Sequence, residues 1–407
     1  MKKPYKKIND NFYIVNFPNK TDEVYFDIYL KSGYSDESEK EFGIGHLLEH
    51  YLIESVLNSK KIEFTNGSIG NDFTNYYLKS KQNRFLKEAE PFLDFVLNPK
   101  FEDKNLLEKE KEVIKNEINS KKSAKTDALN FFLQVNFGKN FTSSRDKKNQ
   151  ILNIKKIKLD DLKKYHGNIF NNENIFFVLS GYNLNKEIQN KTLKLIKNFN
   201  LSKSKKIKKQ EFSLLKVGVV KSSKHYWNDE LMINFCFDVP SKMRNDQKVL
   251  KTLVFLRDYM ENQIFDFPRK MRDSGIYSVS FDRLIGKKAG MIAVSVEGDK
   301  DRIALFKNNF ENFLETLKNE GISKSVLSKL KKMEKERLQK SFSDNMKRLN
   351  WIVNDILNYN KVFVLSEDIK EINKIDPEYM KKISRNIFKT DKMNIVIFGK
   401  KAREVML

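Results

Sequence analysis

Four histidines occur in the 407 residues, and two of them stand four positions apart in GIGHLLEHYLIES, residues 43–55. His46 and His50 are separated by one helical turn, with Glu49 directly before the second. On a helix, residues i and i+4 project from one face, so two imidazoles can reach a common ion. Glu49, three after His46, lies on the adjoining side and can reach a water on that ion. A catalytic Zn²⁺ takes three protein ligands, keeps one position for water and lowers its pKa to about 7. A carboxylate beside that water can take its proton and hand it to a leaving amine. The residue types and their spacing fit metal-assisted hydrolysis. His166 and His225 lack comparable neighbours and read as surface or core residues.

A third ligand has to come from another element. DKNLLEKEKEVIKNEINSKK, residues 103–122, reads as a helix whose apolar face is marked by Leu106, Leu107, Val113, Ile114 and Ile118. Glu110 and Glu117, two turns apart, follow that stripe, whereas Glu108 and Glu112 fall toward solvent among lysines. A carboxylate on a buried face is costly unless it meets a cation or strong donor. Glu117 is therefore the expected third ligand, with Glu110 as a hydrogen-bond partner of a ligand or as an alternative ligand.

The elements that position these residues are written in a repeat. IKLDDLKKYHGNIFNNENIFFVLSG, residues 157–181, aligns without a gap on IDPEYMKKISRNIFKTDKMNIVIFG, residues 375–399, at a constant offset of 218. Each copy reads as a short helix, a turn, and an apolar strand ending at glycine. LSKSKKIKKQEF, residues 201–212, is basic and without apolar periodicity, and reads as a linker between domains of about 1–200 and 213–407. Both halves mix alternating strands with long amphipathic helices, so two tandem homologous α+β domains are expected. The offset carries His46, His50 and Glu117 to Ile264, Pro268 and Lys335, so one metal site per chain is expected.

Composition narrows the function classes. Hydrophobic residues make up 40% of the chain, enough for cores in two domains. Cys236 is the only cysteine, which excludes an internal disulfide, and its apolar strand context reads as buried. The net charge of +23 comes from lysines spread over the whole sequence. No aromatic–glycine RNA-binding box, zinc-finger spacing or basic helix with heptads accompanies it, so nucleic-acid binding is not expected. The start lacks a continuous apolar signal region, and no stretch approaches the length of a membrane span. A cytoplasmic protein is the expectation.

H-x-x-E-H is the inverted zincin signature, and its surroundings resemble the pitrilysin/insulinase family of zinc metallopeptidases. GIGHLLEHYLIES resembles that family's active-site helix. FLDFVLNPKFEDKNLLEKEKEVIKNEI resembles the segment carrying its third zinc ligand, a glutamate with another seven before it, which fall on Glu117 and Glu110. TNGSIGNDFTNYYLK, residues 65–79, resembles the family's Asn-Ala-x-Thr…Thr-x-Tyr strand, placing Asn66 at the asparagine, Gly67 at the usual alanine, and Thr74 and Tyr76 at the later pair.

The resemblance implies one Zn²⁺ per chain and a peptide substrate held by β-addition near residues 71–79. RKMRDSGIYSVSF resembles the Arg…Tyr element that positions the substrate carbonyl, implying Arg272 and Tyr277. Their separation is shorter than the family pattern, so either Arg272 reaches by a different loop, Arg269 substitutes, or that function is lost. Family members enclose substrate between two two-domain halves. The resemblance therefore implies a half-clamshell working as a homodimer or heterodimer, or a non-catalytic subunit of a heterodimeric processing peptidase.

Overall fold

The computed structural model describes residues 4–120, 123–138, 141, 147–199, 201, 211–224, 230–273, 276, 279–285 and 289–406. Most of the expected linker, 202–210, lies outside them. Two compact units divide the chain, one from 1–121, 145–210 and 340–364, the other from 122–144, 211–339 and 365–407.

The first unit is built on a six-stranded sheet of β1 (Tyr5–Asn9), β2 (Phe12–Asn16), β3 (Glu23–Leu30), β4 (Thr65–Ile69), β5 (Thr74–Lys81) and β6 (Ile175–Gly181). Their order across the sheet is β1-β2-β6-β3-β5-β4. Alternation along β3 sorts its side chains. Val24, Phe26, Ile28 and Leu30 join the large core under the helices Ile44–Asn58, Phe85–Leu97 and Lys104–Ser120. Tyr29 faces the other way, into a smaller core closed by Leu349, Ile352, Val353 and Ile356. Those four residues belong to the helix Asn345–Tyr359, so the first unit's sheet is covered on its second face by a segment from late in the chain. The central strand β6 is buried at all seven positions, which accounts for its apolar run Ile175–Leu179.

The second unit carries a five-stranded sheet of β7 (Val219–Ser222), β8 (Leu231–Asp238), β9 (Val279–Ile285), β10 (Gly290–Gly298) and β11 (Asn394–Phe398), in the order β7-β11-β8-β10-β9. One face of this sheet meets Phe132, Leu133 and Phe137 of the helix Ala124–Phe137, which pack with Cys236, Met291, Ala293 and Val396. An early segment of the chain thus covers the later sheet.

The repeat is visible element by element. The helices Leu159–Ile169 and Pro377–Ile387 begin and end 218 residues apart, and each leads into a strand, β6 or β11. Both strands pair in parallel on one side, with β2 or β7, and antiparallel on the other, with β3 or β8. Ladder pairing carries the equivalence outward: Phe177–Ile28–Tyr76–Gly67 in the first sheet matches Ile395–Phe235–Val294–Phe281 in the second. Where the first unit has Gly67, the second has a phenylalanine.

Candidate metal centre

The helix Ile44–Asn58 starts at Gly43, whose φ of +104° suits only a residue without Cβ. His46 and His50 rise from its first two turns with ring centroids 4.8 Å apart. Leu47, Leu48, Leu52 and Val56 of the same helix are buried in the core and fix its rotation. The second wall is the helix Lys104–Ser120, held by Leu106, Leu107, Ile114 and Ile118. Glu110 is buried and Glu117 half-buried on the inner side of this helix, while Glu108 and Glu112 are exposed.

These two helices bring the nitrogen and oxygen donors together. His46 Nε2 lies 3.7 Å from Glu117 Oε2, and His50 Nε2 lies 3.6 Å from Glu117 Oε1. Two ligands on one tetrahedral zinc, each at 2.0–2.1 Å, stand about 3.4 Å apart. His50 Nδ1 meets Glu110 Oε2 at 3.0 Å, which orients the ring and leaves Nε2 turned toward Glu117. The other Glu110 oxygen is 3.3 Å from Lys109 Nζ. Glu49 Oε2 is 3.9 Å from His50 Nε2. Taken without Glu117, donor atoms of His46, Glu49 and His50 also lie within 4.8 Å of one another, so four groups share one small space. Imidazole and carboxylate donors in this number suit a divalent transition metal such as zinc.

Burial pushes the Glu49 carboxyl up to about 7, with smaller upward contributions from Glu117 and Glu110 and a downward one from His50. A dication seated on the histidines would act in the downward sense. Glu49 rests against the backbone of β4, where a Cβ on Gly67 would stand 2.3 Å from Glu49 Oε1. Gly67 thus leaves room for this carboxylate. Behind it, the buried Tyr76 pairs with Gly67 across the ladder, and burial followed by the Glu49 charge raises its phenol.

The substrate-side expectations separate. Asn66 is exposed on β4, and its Oδ1 accepts from Gly67 N at 2.8 Å. β-Addition near residues 71–79 is ruled out by topology, because β5 is paired on both sides, with β3 and β4. The strand at the sheet edge beside Glu49 is β4. Arg272 lies exposed on the helix Asp266–Asp273 of the second unit and donates to Gln263 Oε1 at 2.8 Å. Arg269 donates to Asp266 Oδ1 at 3.2 Å. Tyr277 lies outside the described residues, as does His225.

The remaining single residues read plainly. His166 is buried with Nε2 2.9 Å from the Val96 carbonyl, and burial lowers its pKa to about 4, as for a core imidazole. Cys236 is buried and its thiol is pushed far up by desolvation. Two neighbours of the site had no counterpart among the expected residues. Tyr34 sets its ring edge-on to His46 at 6.2 Å, and Glu37 accepts backbone N–H bonds at the start of the histidine helix. The only hint of either was an acid and an aromatic in the turn before a glycine-led helix.

The family profile described as "Insulinase (Peptidase family M16)" matches residues 14–145, and that described as "Peptidase M16 inactive domain" matches 156–334. Among solved structures, an M16-like peptidase from Alicyclobacillus acidocaldarius superposes with a TM-score of 0.80 at 16% identity, covering 98% of this chain and 99% of that one. The first half of the periplasmic protease PqqL from Escherichia coli gives 0.77 at 15% identity, covering 99% and 93%. Against the whole of PqqL this chain covers 48%. These likenesses establish the fold. The chaperone SurA of Buchnera aphidicola subsp. Schizaphis graminum is 26% identical over 298 residues, 69% of this chain and 63% of that protein, so the chain spans less than two thirds of this relative. With both halves matched by M16 profiles and the two-domain fold shared with an M16-like peptidase, the chain belongs to the insulinase family of peptidases, M16.

Proposed function

We propose that the chain is a zinc-dependent endopeptidase acting on peptides or unfolded small polypeptides, with His46, His50 and Glu117 as the metal ligands and Glu49 as general base and acid. The observation that carries this reading is the convergence of both Nε2 atoms on Glu117, with Glu110 behind His50 and Glu49 alongside. Zinc held there supplies Lewis acidity, lowering the pKa of water and polarising a peptide carbonyl. The chain's own residues do the rest. Glu49 takes a proton from the attacking water as its oxygen joins the carbonyl carbon. When the C–N bond breaks, Glu49 returns that proton to the leaving amine. The edge strand β4, with Asn66 and Gly67, holds the peptide backbone by main-chain pairing, which makes little demand on sequence. The family resemblance gives the substrate carbonyl to Arg272 and Tyr277, with Arg269 in place of Arg272 or loss of that role as the alternatives.

The coverage of half of PqqL supports a working unit of two such halves, as a homodimer or with a second family member. The same observation favours one second reading, a partner-dependent subunit of a processing peptidase that binds metal but cleaves only in a heterodimer. Incubating the protein with a quenched mixed-peptide library, before and after chelation and zinc return, separates these. Cleavage that is lost and restored supports the peptidase; one zinc bound without cleavage supports the partner-dependent subunit. Cleavage indifferent to chelator contradicts both.

A further inference from the structure

We propose that Glu37 is a positioning residue for the metal centre, anchoring the first turn of the histidine helix and offsetting the positive end of that helix where a dication would sit. The inference rests on the metal reading above. Glu37 is buried, and its two carboxylate oxygens accept from the backbone N–H groups of Gly43 and Gly45, each at 2.8 Å. Its seat is shaped for it: a Cβ on Gly45 would stand 2.7 Å from Glu37 Oε1 and 3.2 Å from the Tyr165 hydroxyl. The acid is thus held against backbone, with the hydrogen bonds landing one and three residues before His46.

The turn that carries Glu37 is fastened at its other end to the edge strand. Tyr34 N donates to the Gly70 carbonyl at 3.0 Å and Ser35 N to the Asn71 carbonyl at 2.9 Å. Gly33 lies so close that a Cβ there would be 2.3 Å from the Gly70 oxygen. Gly70 directly follows β4. Through residues 33–37, the end of the strand beside Glu49 and the start of the helix bearing His46 are one connected piece.

Charge adds a second requirement. The first four N–H groups of a helix lack intrahelical partners and carry partial positive charge. His46 is the third residue of its helix, and helical side chains lean toward the N-terminus. A dication on His46 is therefore held next to the repulsive end of its own helix. The Glu37 carboxylate satisfies two of those donors and supplies the opposing charge.

The test is zinc affinity, measured by competition with a chromophoric chelator on the wild type, Glu37→Gln and Glu37→Asp, alongside thermal unfolding of each metal-free protein. A purely structural cap would move the unfolding midpoint and leave affinity unchanged among folded proteins. The expected order is wild type tightest, then Glu37→Asp, which keeps the charge with a shorter reach. Glu37→Gln, near in shape but neutral, comes last, weakened roughly tenfold. Glu37→Gln binding zinc as tightly as wild type overturns the inference while leaving the metal site standing. If Glu37→Gln does not fold, wild-type affinity in Glu37→Asp overturns it equally. A wild type that takes up no zinc overturns the metal reading, and the inference with it.

Discussion

Two glutamates, one on each helix, meet His50 from different sides. Glu110 is buried and spends one oxygen on His50 Nδ1 at 3.0 Å, so its effect runs through the ring. Glu110→Gln is expected to weaken zinc binding about 10- to 100-fold, the usual cost of losing a partner behind a ligating histidine, as read by chelator competition. Glu49 faces the same space from the other helix, and Glu49→Gln should lower turnover roughly 10²- to 10⁴-fold with zinc content unchanged. Peptide cleavage and metal analysis on one preparation check both halves of that statement. Gly67→Ala puts a carbon where Glu49 Oε1 now lies, so it should reduce turnover by displacing the carboxylate while zinc stays bound. The histidines, Glu49 and the inner placement of Glu110 and Glu117 were readable because helical periodicity ties spacing to facing. Glu37 was not, because it acts from a turn, where spacing along the chain says nothing about which backbone N–H an acid will meet.

At the scale of elements, the sequence showed which helices are amphipathic but not which sheet each one covers. The helix Asn345–Tyr359 has a clear apolar face, yet nothing in it names β3 and β6 of the opposite half as its partners. The edge strand was misplaced for a related reason: 71–79 has the stronger β pattern because it is paired on both sides, whereas β4 is short and glycine-containing because it is an edge. Residue Asp27 belongs to the face that this helix closes. It is fully buried on β3, and burial pushes its carboxyl up to about 7, partly offset by hydrogen bonds with Asn75 and Tyr29. The unfolded carboxyl titrates near 3.9, so between that pH and 7 the folded state holds a proton that the unfolded state has lost. Asp27 is therefore least costly below about pH 4, and its cost grows as pH rises through 7, toward a ceiling of roughly 4 kcal/mol. Asp27→Asn should match the wild type in stability near pH 4 and exceed it at pH 8, as followed by urea unfolding at both pH values.

Over the whole molecule, two units of matching strand order differ at the place where the first unit gathers its histidines. The sheets correspond strand for strand from β2 and β7 outward, but the position of Gly67 is taken by Phe281, and the second unit's helices Gln247–Glu261 and Lys324–Phe342 are joined by ion pairs and carry no histidine. Lys251 lies 3.5 Å from Glu334 and 3.1 Å from Asp368, and Arg337 lies 3.1 Å from Asp258. Internal cations pair with these acids, whereas in the first unit a carboxylate and two imidazoles converge. This supports the proposal of one zinc per chain; the proposed homodimer is a separate reading with its own test. Turnover per chain should then fall on dilution below the dissociation constant, tracking the loss of dimer seen by light scattering.

The central claim is that His46, His50 and Glu117 hold a metal ion, and elemental mass spectrometry of the purified protein tests it most directly. About one zinc per chain is expected in the wild type, with none retained in His50→Ala of the same fold. Equal zinc in both proteins, or none in the wild type, would contradict the account.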